Sequence, residues 1–365
     1  MEHQQVIELC KSGNLQELQH IIEQQNINMY DFDNLFSTAC EYGYLDMAKW
    51  LLQIKPDIDI STNNDYAFRG ACRYGHLHIA QWLLQIKPDI NICANRNETF
   101  RIACANGHIS VAKWLYEMKP STNKYIYDEA FQGACKKNNI KVAQWLLTIK
   151  PRINISAYND EAFRETCRSG HIHIVKWLYQ IKPDINISVN NDEAFRFACI
   201  NGHLDVAKWL LQIKPDIDIS ANNVRAFARA CGNGHLDVAQ WLLQIKPDID
   251  ISANNDEAFR EACYDGGYLD VAQWLCTLTS LYQIQTENNK IVSFHVLKQL
   301  PIDKTTIVSI NHIEDKTCPI CYDKTIQLQT NCNHCYCTEC IQKHYNNDSS
   351  CPYCKQQISV FYNIR

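Results

Sequence analysis

Ala198-Cys199-Ile200-Asn201-Gly202-His203-Leu204-Asp205-Val206-Ala207-Lys208-Trp209-Leu210-Leu211 is one copy of a unit that recurs along most of the chain. Just before it, Asp192 can N-cap a short helix carrying Ala194, Phe195, Ala198 and Cys199. Gly202 closes that helix, because a residue without a Cβ enters a left-handed bend without strain. Leu204, Val206, Ala207, Leu210 and Leu211, with Trp209, recur at helical spacing and predict a second amphipathic helix. It must stop near Lys214, since Pro215 disfavours helical geometry in the residue before it. Asp216-Ile217-Asp218-Ile219-Ser220 then alternates polar and apolar before Asn222-Asn223, which predicts a projecting loop or hairpin arm. Each unit therefore reads as helix, turn, helix and arm.

The tryptophans give the period. Trp50, Trp82, Trp114, Trp145, Trp177, Trp209, Trp241 and Trp274 are spaced by 32, 32, 31, 32, 32, 32 and 33 residues. Cys40, Cys72, Cys104, Cys135, Cys167, Cys199, Cys231 and Cys263 climb in the same phase, as do prolines from Pro56 to Pro247. A divergent copy opens the chain, where Cys10-Lys11-Ser12-Gly13-Asn14-Leu15 aligns with Cys40-Glu41-Tyr42-Gly43-Tyr44-Leu45. Nine units result, and a sustained period of this length is the signature of a stacked repeat protein.

The stretch from Ala198 to Leu211 resembles the ankyrin pattern, A-A-x-x-G-H-x-x-I-V-x-L-L-L. The resemblance covers about three quarters of the chain and implies a mainly α fold: an ankyrin-repeat solenoid of about nine units over residues 1–281, with a capping repeat at 1–30. The departures are systematic. The family's T-P-L-H start is here Glu193-Ala194-Phe195-Arg196, and the usual Gly after the second helix is Lys214-Pro215, so the motif's Thr–His hydrogen bond has no threonine to make it. The recurring Q-I-K-P-D-I-x-I-S resembles the ankyrin arrays of giant DNA viruses. His76, His108, His171, His203 and His235 stand where the family uses histidine structurally. The periodic Trp and Cys residues read as core. Neighbouring helices pack about 8–10 Å apart, whereas a disulfide needs Cα atoms about 4.4–6.8 Å apart, so the cysteine ladder is expected to stay reduced.

In a repeat array, partner recognition falls on positions that vary while the frame is constant. The two residues after the repeated Cys vary most, and so does the residue two before it, which reads Gly70, Ile102, Gly133, Glu165, Phe197, Arg229 and Glu261. The family's first helices line the concave face. Tyr74, Asn106, Lys137, Arg168, Phe197, Arg229 and Tyr264 are therefore the candidate client-binding residues, and the expected client is a protein. Drift at unconstrained surface sites predicts the same variety.

After Trp274-Leu275 the period ends, and residues 282–317 read as a connector in which Lys290–Leu297 fits either one packed strand or a remnant helix. Then the chemistry changes. Cys318-x2-Cys321-x10-Cys332-x1-His334-x2-Cys337-x2-Cys340-x10-Cys351-x2-Cys354 supplies eight soft ligands, enough for two tetrahedral zinc ions, and a closed shell without carboxylate marks structural sites. The order and spacing resemble a RING finger of the C3HC4 type, a small zinc-stabilised α+β domain, at residues 318–355, followed by a tail at 356–365. The resemblance implies interleaved sites: Cys318, Cys321, Cys337 and Cys340 on one ion, and Cys332, His334, Cys351 and Cys354 on the other. Cys335 is an extra thiol beside them, a spectator or at most a rival ligand. The residues that would meet a ubiquitin-conjugating enzyme are Ile320, His344 and Pro352, with Lys355 where active family members often carry Arg. His344 replaces the family's frequent Trp, and Lys355 lacks the planar fork of an arginine.

Composition narrows the partners. With 35 basic against 40 acidic residues interspersed, the chain has no broad positive field, which argues against nucleic acid and anionic membranes as partners. No segment offers the roughly 18 apolar residues of a bilayer span, and Met1–Gln5 does not begin a signal peptide, so an intracellular, cytoplasmic location, including a host's cytoplasm, is expected. Without a secretory signal, Asn97, Asn154, Asn186 and Asn347 read as accidental matches to the glycosylation pattern. The expected function is that of a RING-type ubiquitin ligase in which the repeats hold a client and the zinc finger recruits a charged conjugating enzyme. The alternative is a non-enzymatic scaffold whose finger serves docking or dimerisation.

Overall fold

A computed structural model describes residues 2–24, 30–264 and 267–296, together with the backbone of 328–330, 335–336 and 361–363. The chain divides into two compact units, Met1–Ala221 and Asn222–Arg365. Among the described residues, eighteen helices form nine consecutive pairs, from Glu2–Ser12 with Leu15–Gln24 to Ala253–Cys263 with Leu269–Leu278. No described helix is long and apolar enough to cross a membrane.

One repeat shows why the pairs stack. Phe195, Ala198 and Cys199 of the first helix and Val206, Ala207 and Leu210 of the second are fully buried. The second helix ends at Ile213, ahead of Pro215 as the sequence requires. The Cys ladder is core and free of disulfides. Burial pushes the thiols of Cys10 and Cys263 up to about 12 and the other ladder thiols upward as well. The tryptophans are not core. Each is half-buried, and Trp82, Trp114, Trp145, Trp177 and Trp274 lean on a phenylalanine of the preceding repeat, as in Phe36–Trp82 at 6.0 Å and Phe131–Trp177 at 6.1 Å between ring centroids. Trp is kept at this position because it spans the seam between repeats, with the phenylalanine supplying the buried half of each pair.

A second latch uses the Gly-His step. His171 Nε2 donates to the carbonyl of Lys136 and His203 Nε2 to that of Arg168, both at 3.0 Å, and Asn139 Nδ2 reaches Ala105 O at 2.6 Å from the equivalent position. These carbonyls lie at the end of the preceding repeat's first helix, where no intrahelical donor remains. Where the preceding repeat sets a glycine against the latch, that glycine is required twice over. Gly43 has φ +93°, and a Cβ added there would lie 2.6 Å from His76 Cε1.

Asp192 does not cap its own helix. Asn190, Asn191 and Asp192 form a left-handed turn with φ of 55–58°, and the Asp192 carboxylate accepts from Ser188 Oγ and, across 26 residues, from Asp218 N of the next arm. Such a turn is unfavourable for L-residues except where Asn and Asp side chains bond locally. It is held by Arg196, whose guanidinium donates to Asn190 O at 2.7 Å and Asn191 O at 2.9 Å. Arg164 does the same to Tyr158 and Asn159. The arms themselves are turns rather than ladders, and most are anchored by a buried isoleucine two residues after the proline, such as Ile185 and Ile217.

In the second unit a hairpin follows the last helix pair. Strands β1 (Tyr282–Glu287) and β2 (Lys290–Val296) pair antiparallel, so the connector's apolar stretch is a strand. Tyr282 stacks on Phe259 at 4.2 Å and donates to Asp256 Oδ1 at 2.9 Å, again 26 residues on, so the hairpin takes the place of a next arm. Further along, β3 (Leu328–Thr330), β4 (Cys335–Tyr336) and β5 (Phe361–Asn363) form an antiparallel sheet in the order β4-β3-β5. Part of the predicted tail is thus a strand, and Cys335 lies at the register position opposite Gln329.

Candidate binding surface and metal centre

The candidate client-binding residues sit where the first helices end and form neighbouring contacts from repeat to repeat. Tyr74 is 51% exposed and stacks on Tyr42, with centroids 6.5 Å apart. Asn106 Nδ2 donates to Arg73 O and Lys137 Nζ donates to Asn106 Oδ1, each at 2.8 Å, which ties three repeats together. The Arg168 guanidinium lies 4.3 Å from the centre of the Phe197 ring. Lys136 pairs with Glu165 at 2.6 Å. Burial works against ionisation of Glu165, but the hydrogen bond and charge of Lys136, with Arg168, outweigh it and hold the carboxyl below its usual range. Arg73, Lys136, Lys137 and Arg168 are all exposed, giving this face of the first unit a line of cations broken by single carboxylates.

The position two before the Cys is not free to recognise a partner in every repeat. A Cβ at Gly70 would lie 3.2 Å from Glu41 Cβ, and one at Gly133 would lie 2.9 Å from Ala105 Cβ. Close approach of the neighbouring first helix favours glycine at these two positions. Sequence comparison among repeats missed Tyr42, whose part emerges only from its stack on Tyr74.

In the second unit, Arg229 pairs with Glu257 at 3.2 Å and Glu261 at 3.0 Å, and Tyr264 is 77% exposed. Glu261, Arg260, Tyr264, Tyr268, Lys290 and Phe294 line an open groove of 1060 Å³ between the last helix pair and the hairpin.

Cys318, Cys321, Cys332, His334, Cys337, Cys340, Cys351 and Cys354 lie outside the described residues, as do Ile320, His344, Pro352 and Lys355. The donor set itself is the available test. Seven thiols and one imidazole, with no carboxylate, fit zinc in closed tetrahedral shells. Among the described residues no other His, Cys, Asp and Glu group is placed to hold a metal.

The stacked helix pairs with the Gly-His latch define a repeat protein built for contact with other proteins. The sequence matches the ankyrin-repeat family over residues 36–128 and 131–223, half of the chain, and the protein belongs to that family. Residues 316–355 match the Ring finger domain. Over 47 residues, 12% of the chain, it is 46% identical to "E3 ubiquitin-protein ligase TRIM21" of Mus musculus, and the match spans 10% of that protein's length. A solved ankyrin repeat family protein from Legionella pneumophila aligns at 20% identity over 64% of this chain and 76% of its own, with a TM-score of 0.32.

Proposed function

We propose that the chain is a RING-type ubiquitin ligase whose repeats hold a protein client and whose finger recruits a ubiquitin-charged conjugating enzyme. The observation that carries this reading is the complete eight-ligand series from Cys318 to Cys354 within the matched Ring finger domain. Two zinc ions bind in interleaved sites, one on Cys318, Cys321, Cys337 and Cys340, the other on Cys332, His334, Cys351 and Cys354. When bound, the metals supply folding free energy and no reaction step. Ile320, His344 and Pro352 present a shallow contact to the conjugating enzyme, and Lys355 offers charged hydrogen bonds to it or to ubiquitin. Tyr74, Asn106, Lys137, Arg168, Phe197, Arg229 and Tyr264 contribute to the client surface.

Transfer then occurs by positioning. A client lysine attacks the thioester at high effective concentration, and the bond to the conjugating enzyme's cysteine breaks as the new amide forms. No cysteine of this chain serves as nucleophile, in keeping with ladder thiols that burial holds protonated. The location follows as cytoplasmic.

In a reconstituted reaction, Cys318→Ser and Ile320→Ala should each abolish ubiquitin chain formation, and retained activity in both contradicts the mechanism. His344 and Lys355 favour a second reading, a scaffold with a docking finger. Silence of the intact protein across a panel of conjugating enzymes would select it.

A further inference from the structure

Five arms carry the same ion pair, Lys55–Asp57, Lys87–Asp89, Lys182–Asp184, Lys214–Asp216 and Lys246–Asp248, at 2.8–3.4 Å. Two consecutive arms between them break the rule. Lys119-Pro120-Ser121 has a neutral residue in place of the Asp, and Lys150-Pro151-Arg152 has a cation. Deprived of its carboxylate, Lys150 places Nζ 4.9 Å from the centre of the Tyr127 ring and 5.8 Å from that of Tyr116. Arg152 and Lys124 are exposed, and among the described residues neither makes an ion pair.

The same place is short of chain. Pro120 precedes Asp128 by one residue fewer than Pro183 precedes Asp192, and where the longer arm buries Ile185 and Ile187 the shorter one has Thr122 and Lys124. The missing apolar side chains leave an open cleft of 610 Å³ between the two arms, lined by Pro120, Thr122, Lys124, Tyr127, Lys150 and Arg152. The one carboxylate on its wall, Asp128, is already engaged by Asn154 N at 3.0 Å. Cations therefore exceed carboxylates here, beside an aromatic ring and a proline.

We propose that this cleft binds a short acidic peptide segment, its carboxylates or phosphoryl groups held by Lys124, Lys150 and Arg152 and its apolar side chains set against the exposed Pro120. The neighbours limit the length. Asp57 and Asp89 on one side and Asp184 and Asp216 on the other are 72–79% exposed and repel a long polyanion such as a nucleic acid. The site is distinct from the candidate client surface. Lys124 and Lys136 stand at opposite ends of a 13-residue helix, about 18 Å apart at 1.5 Å per residue. Binding here stands independently of ubiquitin transfer.

The test is fluorescence anisotropy of the intact protein with a short labelled peptide of Glu residues around one Tyr, its phosphoserine counterpart, and a control with Gln throughout. Either acidic peptide should bind, more weakly as salt is raised, and the Gln peptide should not. Arg152→Asp installs the ion pair of the other arms, should melt like the parent, and should weaken binding about tenfold or more. Lys124→Gln should weaken it too, whereas Lys214→Gln in an ordinary arm should leave it unchanged. Equal affinity for the Glu and Gln peptides, or unchanged affinity in both Arg152→Asp and Lys124→Gln, overturns the proposal. Displacement of the peptide by an equally charged single-stranded oligonucleotide overturns the peptide assignment.

Discussion

At the scale of single residues the Gly-His step does two jobs, bending the chain and bonding it to the preceding repeat. Gly170 has φ +77°, and a Cβ there would overlap the His203 ring. Gly170→Ala should lower stability by more than about 1 kcal/mol, read from denaturant unfolding of the intact chain. The latch histidines also carry a pH signature. Burial, assisted at His76 by the nearby His78, pulls the pKa values of His76, His108 and His171 below the ordinary imidazole value, against the opposing pull of the accepted carbonyl bond. A base with a depressed folded-state pKa binds protons more readily unfolded. Its contribution is thus complete above about pH 6.5 and is lost as pH falls below that value. Asn139 shows that an amide can make the same bond without titrating. Replacing all three histidines with Asn should flatten the fall in melting temperature between neutral and mildly acidic pH, and an unchanged slope would assign that fall elsewhere.

At the scale of elements the structure departs from the sequence reading where neighbours decide. Asp192 has the residue type of a helix cap but serves the next arm, because three left-handed residues aim its carboxylate across 26 positions. Trp209 has the hydropathy of a core residue, yet its ring is half-buried and lies edge-on to Tyr179 at 5.5 Å. Neither fact is visible in a single repeat read alone. The hairpin was ambiguous for a related reason: Ile291 is buried while Val292 is 53% exposed, an alternation that only the partner strand makes meaningful. Tyr282→Phe keeps the stack on Phe259 but removes the hydroxyl's bonds to Asp256 and Ile251 O. It should destabilise the second unit by about 1 kcal/mol in thermal unfolding, since two half-buried acceptors lose a donor.

At the scale of the whole molecule, the repeat fold was legible because one unit is written nine times, so Cys199, Gly202 and Pro215 each recur in phase and chance agreement is excluded. The Ring finger domain was legible for the opposite reason, a dense series of thiols at fixed steps. The acidic-peptide cleft was not, since Arg152 looks like drift until its arm is seen to have lost a carboxylate beside an arm, from Pro120, that has lost an isoleucine pair. Two kinds of cohesion predict two kinds of failure. The repeats are held by buried apolar side chains, the finger by metal. Chelation should strip two zinc ions, counted by native mass spectrometry, and unfold the finger while the helical circular-dichroism signal of the repeats survives.

The most direct measurement is the rate at which ubiquitin leaves a charged conjugating enzyme for free lysine, with the zinc-loaded chain, the chelated chain and Ile320→Ala compared. Acceleration by the loaded protein alone is the predicted result. Equal rates in all three, across several conjugating enzymes, would contradict the assignment of this chain as a ligase.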